Sequence, residues 1–354
     1  MPHLFDPITI REITLRNRIG VTPMCMYSYT DGISNDWQVI HLGARAIGGA
    51  GLVISEATAV EARGRITAFD VGIWSDEQVE PLKRVTKAIR GNGAVAGIQI
   101  AHAGRKASSN QPWVSDKAIA ADLPNGWQGV APSAIAYRED YAVPQELSIE
   151  EIHSIQNKFR DAAQRALEAG FEWLEIHGAH GYLIHNFYSP LSNQRSDEYG
   201  GSFENRIRFF LETVRKVRAV WPDRLPLTAR ISGTDWVEGG WTVEESVELA
   251  KRLKGEGLDL IDCSSGGNAA GAKIPTGPGY QVSISEAVRK GADILTATVG
   301  LVTAPEHADA IIRNGRADII LLGRELLRNP HWPIYAAQAL KQPAPIPGQY
   351  KRAY

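Results

Sequence analysis

Three proton-bearing side chains fall within six residues, in His177-Gly-Ala-His180-Gly-Tyr182. Two imidazoles at this spacing can donate N–H groups to a substrate oxygen and polarise it, and a phenol beside them can deliver a proton. Metal ligation is the weaker reading, because H-E-x-x-H is absent and the short loop holds no carboxylate. Arg230 stands in a run that otherwise reads as the interior of a strand. A buried guanidinium needs an anionic or strongly polar partner, which is either an internal salt bridge or a negative ligand atom. Gln99 offers an amide that donates and accepts at once; alone, it reads equally as a satisfied core amide. Gly300 and Gly323-Arg324 combine close backbone approach with a cation, a setting suited to a phosphate. Cys25 lies in Pro-Met-Cys-Met-Tyr, whereas Cys263 reads as packing.

These residues need a scaffold that brings them to one face. Short aliphatic runs over 18–21, 51–57, 94–100, 172–177, 226–232, 258–264, 294–299 and 318–323 read as strands buried on both faces. Amphipathic segments over 37–48, 76–90, 148–169, 203–221, 242–255, 282–289 and 305–314 read as helices between them. Ser148-x-x-Glu151 and Thr242-x-x-Glu245 are capping boxes, and Gly170 and Gly257 sit at helix ends. Eight strands alternating with helices predict an α/β chain folded as a (β/α)8 TIM barrel. A doubly wound sheet is the runner-up. It lacks its fingerprint, because the G-x-G-x-x-A at 91–96 precedes a strand instead of following one. In a barrel, chemistry sits at the C-terminal strand ends, and the residues above occupy those ends.

The whole chain, 1–354, reads as a single barrel domain with three additions. An alternating stretch over 5–16 is expected to form an N-terminal hairpin capping the barrel floor. An excursion after strand three, over 104–147, is rich in Pro, Gly, Ser and Trp and is expected to cover the active face. The Pro-rich tail 342–354 is expected to fray.

Composition sets outer limits. The 38 basic and 40 acidic residues leave a net charge of −2, so no basic face for nucleic acid is expected. Two cysteines cannot make a disulfide framework, an all-thiolate zinc site or a four-thiolate cluster, and no metal is expected. Residues 1–18 contain no long apolar stretch of a signal peptide, and no apolar run approaches the roughly 18 residues of a membrane span. A cytoplasmic protein without membrane partners is expected.

The spaced motifs together resemble the old yellow enzyme family of FMN-dependent ene-reductases, closest to its xenobiotic reductase and thermophilic-like branch. They are Thr22-Pro-Met-Cys25, Asn35-Asp-Trp37, Gly-Arg-Ile-Thr at 64–67, Gln-Ile-Ala-His-Ala-Gly-Arg-Lys at 99–106, Ala-Pro-Ser-Ala-Ile at 131–135 and His-Gly-Ala-His-Gly-Tyr-Leu at 177–183. To these add Asn193-x-Arg195-x-Asp197-x-Tyr199-Gly-Gly-Ser-x-x-Asn205-Arg206 and Gly323-Arg324 with Asn329-Pro330. The resemblance spans nearly the whole chain.

The resemblance implies FMN across the barrel mouth. Thr22, Pro23, Met24, Cys25 and Ala57 would line it, Gln99 would bond its pyrimidine ring, and Arg230 would face the N1–C2 end. Gly300, Gly323 and Arg324 would take the phosphate. NADPH, or NADH, would reduce FMN at N5 and leave. An α,β-unsaturated carbonyl compound would then bind in the same place, with His177 and His180 on its oxygen and Tyr182 as proton donor, in ping-pong order. Tyr27, Lys106, Leu301 and Arg352 are the further substrate contacts expected. Relatives in this branch commonly end in an Arg followed by a Trp; here the end is Arg352-Ala-Tyr354, so pocket shape does not carry over. A homodimer or homotetramer is expected. A flavin-binding redox sensor using Cys25 is the alternative from another functional class, and a Schiff-base aldolase is disfavoured because no Lys stands within strands four to eight.

Overall fold

The computed structural model describes residues 2–354. Eight parallel strands close into a barrel: β1 (Ile19–Val21), β2 (Leu52–Ala59), β3 (Val95–Ala101), β4 (Trp173–Gly178), β5 (Leu227–Ser232), β6 (Leu260–Ser264), β7 (Leu295–Thr298) and β8 (Ile319–Leu322). Each pairs with its sequence neighbours, and β8 closes on β1 through Ile320 opposite Ile19. Every residue of β2, β4, β5, β6 and β8 is buried, as strands between a filled barrel and a helical shell must be.

A helix follows each strand: α1 (Asp36–Ile47), α2 (Val79–Arg90), α3 (Ile149–Glu168), α4 (Phe203–Arg218), α5 (Val243–Gly255), α6 (Val282–Ala292), α7 (Pro305–Arg313) and α8 (Trp332–Ala339). Both expected capping boxes form, at Ser148/Glu151 and Thr242/Glu245. Gly170 and Gly257 adopt φ of +86° and +90°, the left-handed conformation that ends a helix. Helix α8 has no counterpart in the sequence reading. It is apolar nearly all round, with Trp332, Pro333, Ile334, Ala336 and Ala337 buried, so no amphipathic period marks it.

The N-terminal hairpin pairs Ile8–Ile10 with Ile13–Leu15. Its Ile8, Ile10 and Leu15 pack with Leu52, Trp173, Leu260 and Ile319, residues at the N-terminal ends of the strands, and so plug the barrel floor. The excursion after β3 carries a short turn at Gly104–Lys106 and a parallel pair, Val130–Ala131 with Gln145–Glu146. It is clamped by Arg195, whose guanidinium donates to the carbonyls of Pro132 and Leu147 while pairing with Asp197. The Asn193–Arg206 signature therefore has a structural purpose: it ties the excursion to the barrel.

The tail departs from the expectation of fraying. Gly348–Tyr350 forms a turn, Tyr350 stacks on His331, and the Tyr354 hydroxyl lies 2.9 Å from His331 Nδ1. Aromatic rings docking on α8 supply burial that the Pro-rich composition does not advertise. Among the described residues, no helix is long and apolar enough to cross a membrane.

Candidate active site

The C-terminal strand ends bring eight of the seventeen expected residues to one cleft of about 290 Å3. Thr22 and Met24 from β1, His180 from the β4 loop, Arg230 from β5, Gly300 and Leu301 after β7, and Gly323 and Arg324 after β8 all line it. Ala57 and Tyr182 meet in a second, small crevice with Asp70 and Gly64. Ser264, Tyr280, Gln281 and Arg328 also line the cleft without having been given a role from sequence. Ser264 at the end of β6 was the detectable one, because the strand-end rule points to it.

His177, His180 and Tyr182 form one cluster. The His177 ring lies edge-on to His180 at 5.2 Å and to Tyr182 at 5.0 Å. The backbone N–H of Ala179 donates to His177 Nδ1 at 3.2 Å, so the neutral ring carries its proton on Nε2. Ser232 Oγ accepts from the His180 backbone N–H, and His180 Nε2 lies 2.7 Å from Ser264 Oγ. His180 adopts φ +61°, a strained conformation for a residue with a side chain. Burial lowers both imidazole pKa values well below the ordinary range, with Arg230 adding to it at His177 and His177 adding to it at His180. Burial raises the Tyr182 phenol well above its ordinary value, helped by Cys25 and Asp70. All three groups are therefore neutral at pH 7, and Tyr182 keeps its proton.

Lys106 reaches the same loop, donating to the carbonyls of His180 at 2.9 Å and Gly267 at 3.1 Å, with Tyr137 and Tyr182 beneath its ammonium. Burial, followed by Arg105 and Arg138, pushes it down to about 8. Tyr27 sits edge-on to Trp113 of the excursion. Arg352 lies exposed on the docked tail, and the structure does not bring it to the cleft.

The cleft floor resolves the two readings of Arg230. Its Nε donates to Asp262 on β6 and its Nη2 to Thr22 Oγ1, so the internal partner exists and the guanidinium also faces the cleft. Asp262 lies directly opposite Arg230 in register, and the sequence run 258–264, which also holds Asp259, does not single it out. Gln99 Nε2 donates to Glu175 Oε1 at 2.8 Å, a second buried carboxyl outside the sequence reading. A register irregularity between Ser55 and Ala57 re-aims Glu56, which accepts from the Met26 N–H and the Tyr29 hydroxyl beside Cys25. Burial raises Glu56 to about 8 and Asp70 to about 6. Cys25 is half-buried, and its thiol is pushed well up by burial, Asp70 and Glu56.

The residues present fit a flavin mononucleotide. At one end of the cleft, Gly300 has φ +135°, and a Cβ there would meet the Tyr280 ring at 2.9 Å. Among the described residues Arg324 makes no ion pair, which leaves a free cation beside the backbone N–H groups that follow Gly323. Elsewhere in the cleft Arg230 and Thr22 offer polar groups to a pyrimidine edge, whereas Gln99 is buried, does not line the cleft and gives its Nε2 to Glu175.

The profile of the NADH:flavin oxidoreductase / NADH oxidase family matches residues 3–342. The chain is 48% identical to an NADPH dehydrogenase of Geobacillus sp. over 99% of its own length and 98% of that protein's. Its structure superposes on morphinone reductase with a TM-score of 0.81 at 29% identity, covering 97% of this chain and 91% of that one. The old yellow enzyme homologue from Zymomonas mobilis superposes with a TM-score of 0.79 at 30% identity, covering 97% and 94%. The barrel with its polar mouth and phosphate-ready end thus belongs to an FMN-dependent oxidoreductase, and the chain is a member of the NADH:flavin oxidoreductase / NADH oxidase family, of old yellow enzyme type.

Proposed function

We propose that this protein is an NADPH-dependent ene-reductase, reducing the activated C=C bond of α,β-unsaturated carbonyl compounds. What carries this reading is the cluster of His177, His180 and Tyr182, three neutral proton-bearing groups at the mouth of a cleft that fits FMN. FMN, when bound, takes a hydride from a nicotinamide and passes it to carbon.

The side chains do the remainder. His177 offers Nε2–H to a carbonyl oxygen. His180 offers Nδ1–H when the Ser264 hydroxyl donates to its Nε2; Gln281 Oε1 keeps Ser265 as its closer partner, at 2.7 Å. Two donors on one oxygen withdraw electron density from the conjugated alkene and stabilise the charge that develops there. Tyr182 Oη holds the proton for the α-carbon, and its raised pKa keeps that proton in place at working pH. Thr22, Pro23, Met24, Cys25 and Ala57 line the flavin, Gln99 and Arg230 bind its pyrimidine end, and Gly300, Gly323 and Arg324 bind its phosphate. Tyr27, Lys106 and Leu301 bound the substrate space, and Arg352 serves only through a neighbouring subunit. The whole chain works as one domain, in the cytoplasm, as a homodimer or homotetramer. Trp37 and Ile40, exposed on α1, support self-association.

A redox sensor built on Cys25 would need a thiolate, and the buried acids beside the thiol oppose its formation. The test is optical. Purified protein is expected to be yellow, to bleach with NADPH under anaerobic conditions, and to recover its colour on adding cyclohexenone. A colourless protein that takes up no FMN refutes the reading, and bleaching with no recovery on any enone favours the sensor.

A further inference from the structure

Two buried carboxyl groups lie under the cleft where a single cation is available to balance them. Asp262 on β6 accepts from Arg230 through Oδ2. Its other oxygen, Oδ1, is buried and meets no donor. Glu175 on β4 lies within hydrogen-bond reach of Asp262 and is 1% exposed. Two carboxylates at such a distance do not both ionise in an apolar interior. A proton on Glu175 supplies the missing donor to Asp262 Oδ1 and removes the repulsion in one step.

We propose that Glu175 and Asp262 share one proton beneath Arg230, and that this pair is a positioning device that sets the reduction potential of the bound flavin. The proposal rests on the flavin reading above. With the proton in place, Arg230, Asp262 and Glu175 sum to zero charge, with the guanidinium nearer the cleft than a net negative charge would be. Without it, the cluster carries −1 directly under the flavin. Hydride reduction brings two electrons and one proton and leaves one negative charge on the ring system, which the ionised cluster opposes and the protonated cluster does not.

The groups facing Glu175 are Gln99 from β3, Arg230 from β5 and Asp262 from β6, with neutral His177 two residues along β4. Burial and Asp262 raise Glu175 to about 8, while Arg230 and Gln99 oppose the rise. Below that pH, reduction takes up only the proton of the hydride. Above it the pair starts ionised, and reduction also draws one proton from solvent onto the pair. The slope of potential against pH then doubles, from one proton per two electrons to two.

Two measurements on the full-length protein test this. Infrared difference spectra of the flavin-free protein, wild type minus Glu175→Gln, should show a protonated-carboxyl band at pH 7 that fades as pH rises through about 8; the band of Glu56, itself raised to about 8, is common to both proteins and cancels. Spectroelectrochemical titration of the FMN-loaded protein should show the slope doubling above pH 8 in wild type. In Glu175→Gln the slope should stay constant while the pH 7 potential is preserved, because the amide mimics the protonated acid. Lys106 and Glu56 also titrate near 8, and Lys106→Met and Glu56→Gln should each keep the doubling. A wild-type slope constant to pH 9, or a doubling that survives in Glu175→Gln, overturns the proposal. Should Glu175→Gln fail to fold, Asp262→Asn serves: Glu175, left beside Arg230 alone, would ionise at lower pH, and both band and break would leave the window. A colourless protein would instead refute the flavin reading, with the infrared arm still deciding the shared proton.

Discussion

Replacing Tyr182 by Phe separates the two halves of the proposed reaction. The phenol ring packs edge-on to His177 at 5.0 Å and 85°, and Phe keeps that contact. Among the described residues the hydroxyl makes no hydrogen bond, and Tyr182 caps the Leu183–Tyr188 helix through backbone alone. Its removal should therefore change folding stability by no more than about 0.5 kcal/mol. A positioned general acid contributes roughly 10²–10⁴ in rate, equal to about 2.7–5.4 kcal/mol at 1.36 kcal/mol per tenfold. Anaerobic stopped-flow on the flavin band measures each half-reaction alone. Bleaching by NADPH should stay within about threefold of wild type, because the hydride donor needs no proton from Tyr182. Recovery with cyclohexenone should slow by the full 10²–10⁴. Equal slowing of both halves, or no slowing of the second, refutes the assignment of the proton to Tyr182 Oη.

Arg324→Ala removes a cation with no partner among the described residues, so FMN affinity should fall roughly 10- to 100-fold, the worth of a charged hydrogen bond, as read by fluorescence of released flavin; unchanged affinity would place the phosphate elsewhere. Arg195→Ala breaks the clamp on the Pro132 and Leu147 carbonyls, with an expected loss of about 1.5–3 kcal/mol, the worth of a hydrogen bond to a charged group. Thermal unfolding together with faster proteolysis within 104–147 would report it. Glu56 has its pKa raised from 4.5 to about 8 in the fold, so the native state binds more protons than the unfolded chain in that window. Its contribution makes stability fall as pH rises from about 5 to 8, by up to about 1.4 kcal/mol per pH unit. Glu56→Gln should flatten that part of the pH–stability curve in chemical denaturation, and an unchanged slope would show Glu56 ionised in the native protein.

The barrel was legible because its strands are short aliphatic runs spaced by amphipathic helices, and buried parallel strands leave that trace. Helix α8 was not, because a helix wrapped in apolar contacts has no polar face to set a period. The site was legible where one residue type stands out at a strand end, as with His177, His180, Tyr182 and Arg230. Its foundation was hidden. Glu175 shares its run with Glu172 and Asp262 shares its run with Asp259, and only register puts Asp262 opposite Arg230 and Glu175 opposite Gln99. Glu56 faces Tyr29 because of a local irregularity in β2, and strand alternation does not foretell such a feature. The tail deceived through composition: prolines suggested fraying, while Tyr350 and Tyr354 hold it on His331.

The central claim is that reducing equivalents from NADPH reach the β-carbon of an enone through a flavin held in the barrel mouth. A single-turnover experiment tests it most directly. Protein carrying FMN is reduced anaerobically with one equivalent of NADPH, freed of nucleotide, and mixed with excess cyclohexenone. The account predicts one cyclohexanone per flavin, formed at the rate at which the yellow colour returns. Colour returning without saturated ketone, or ketone forming only while NADPH is present, would contradict it.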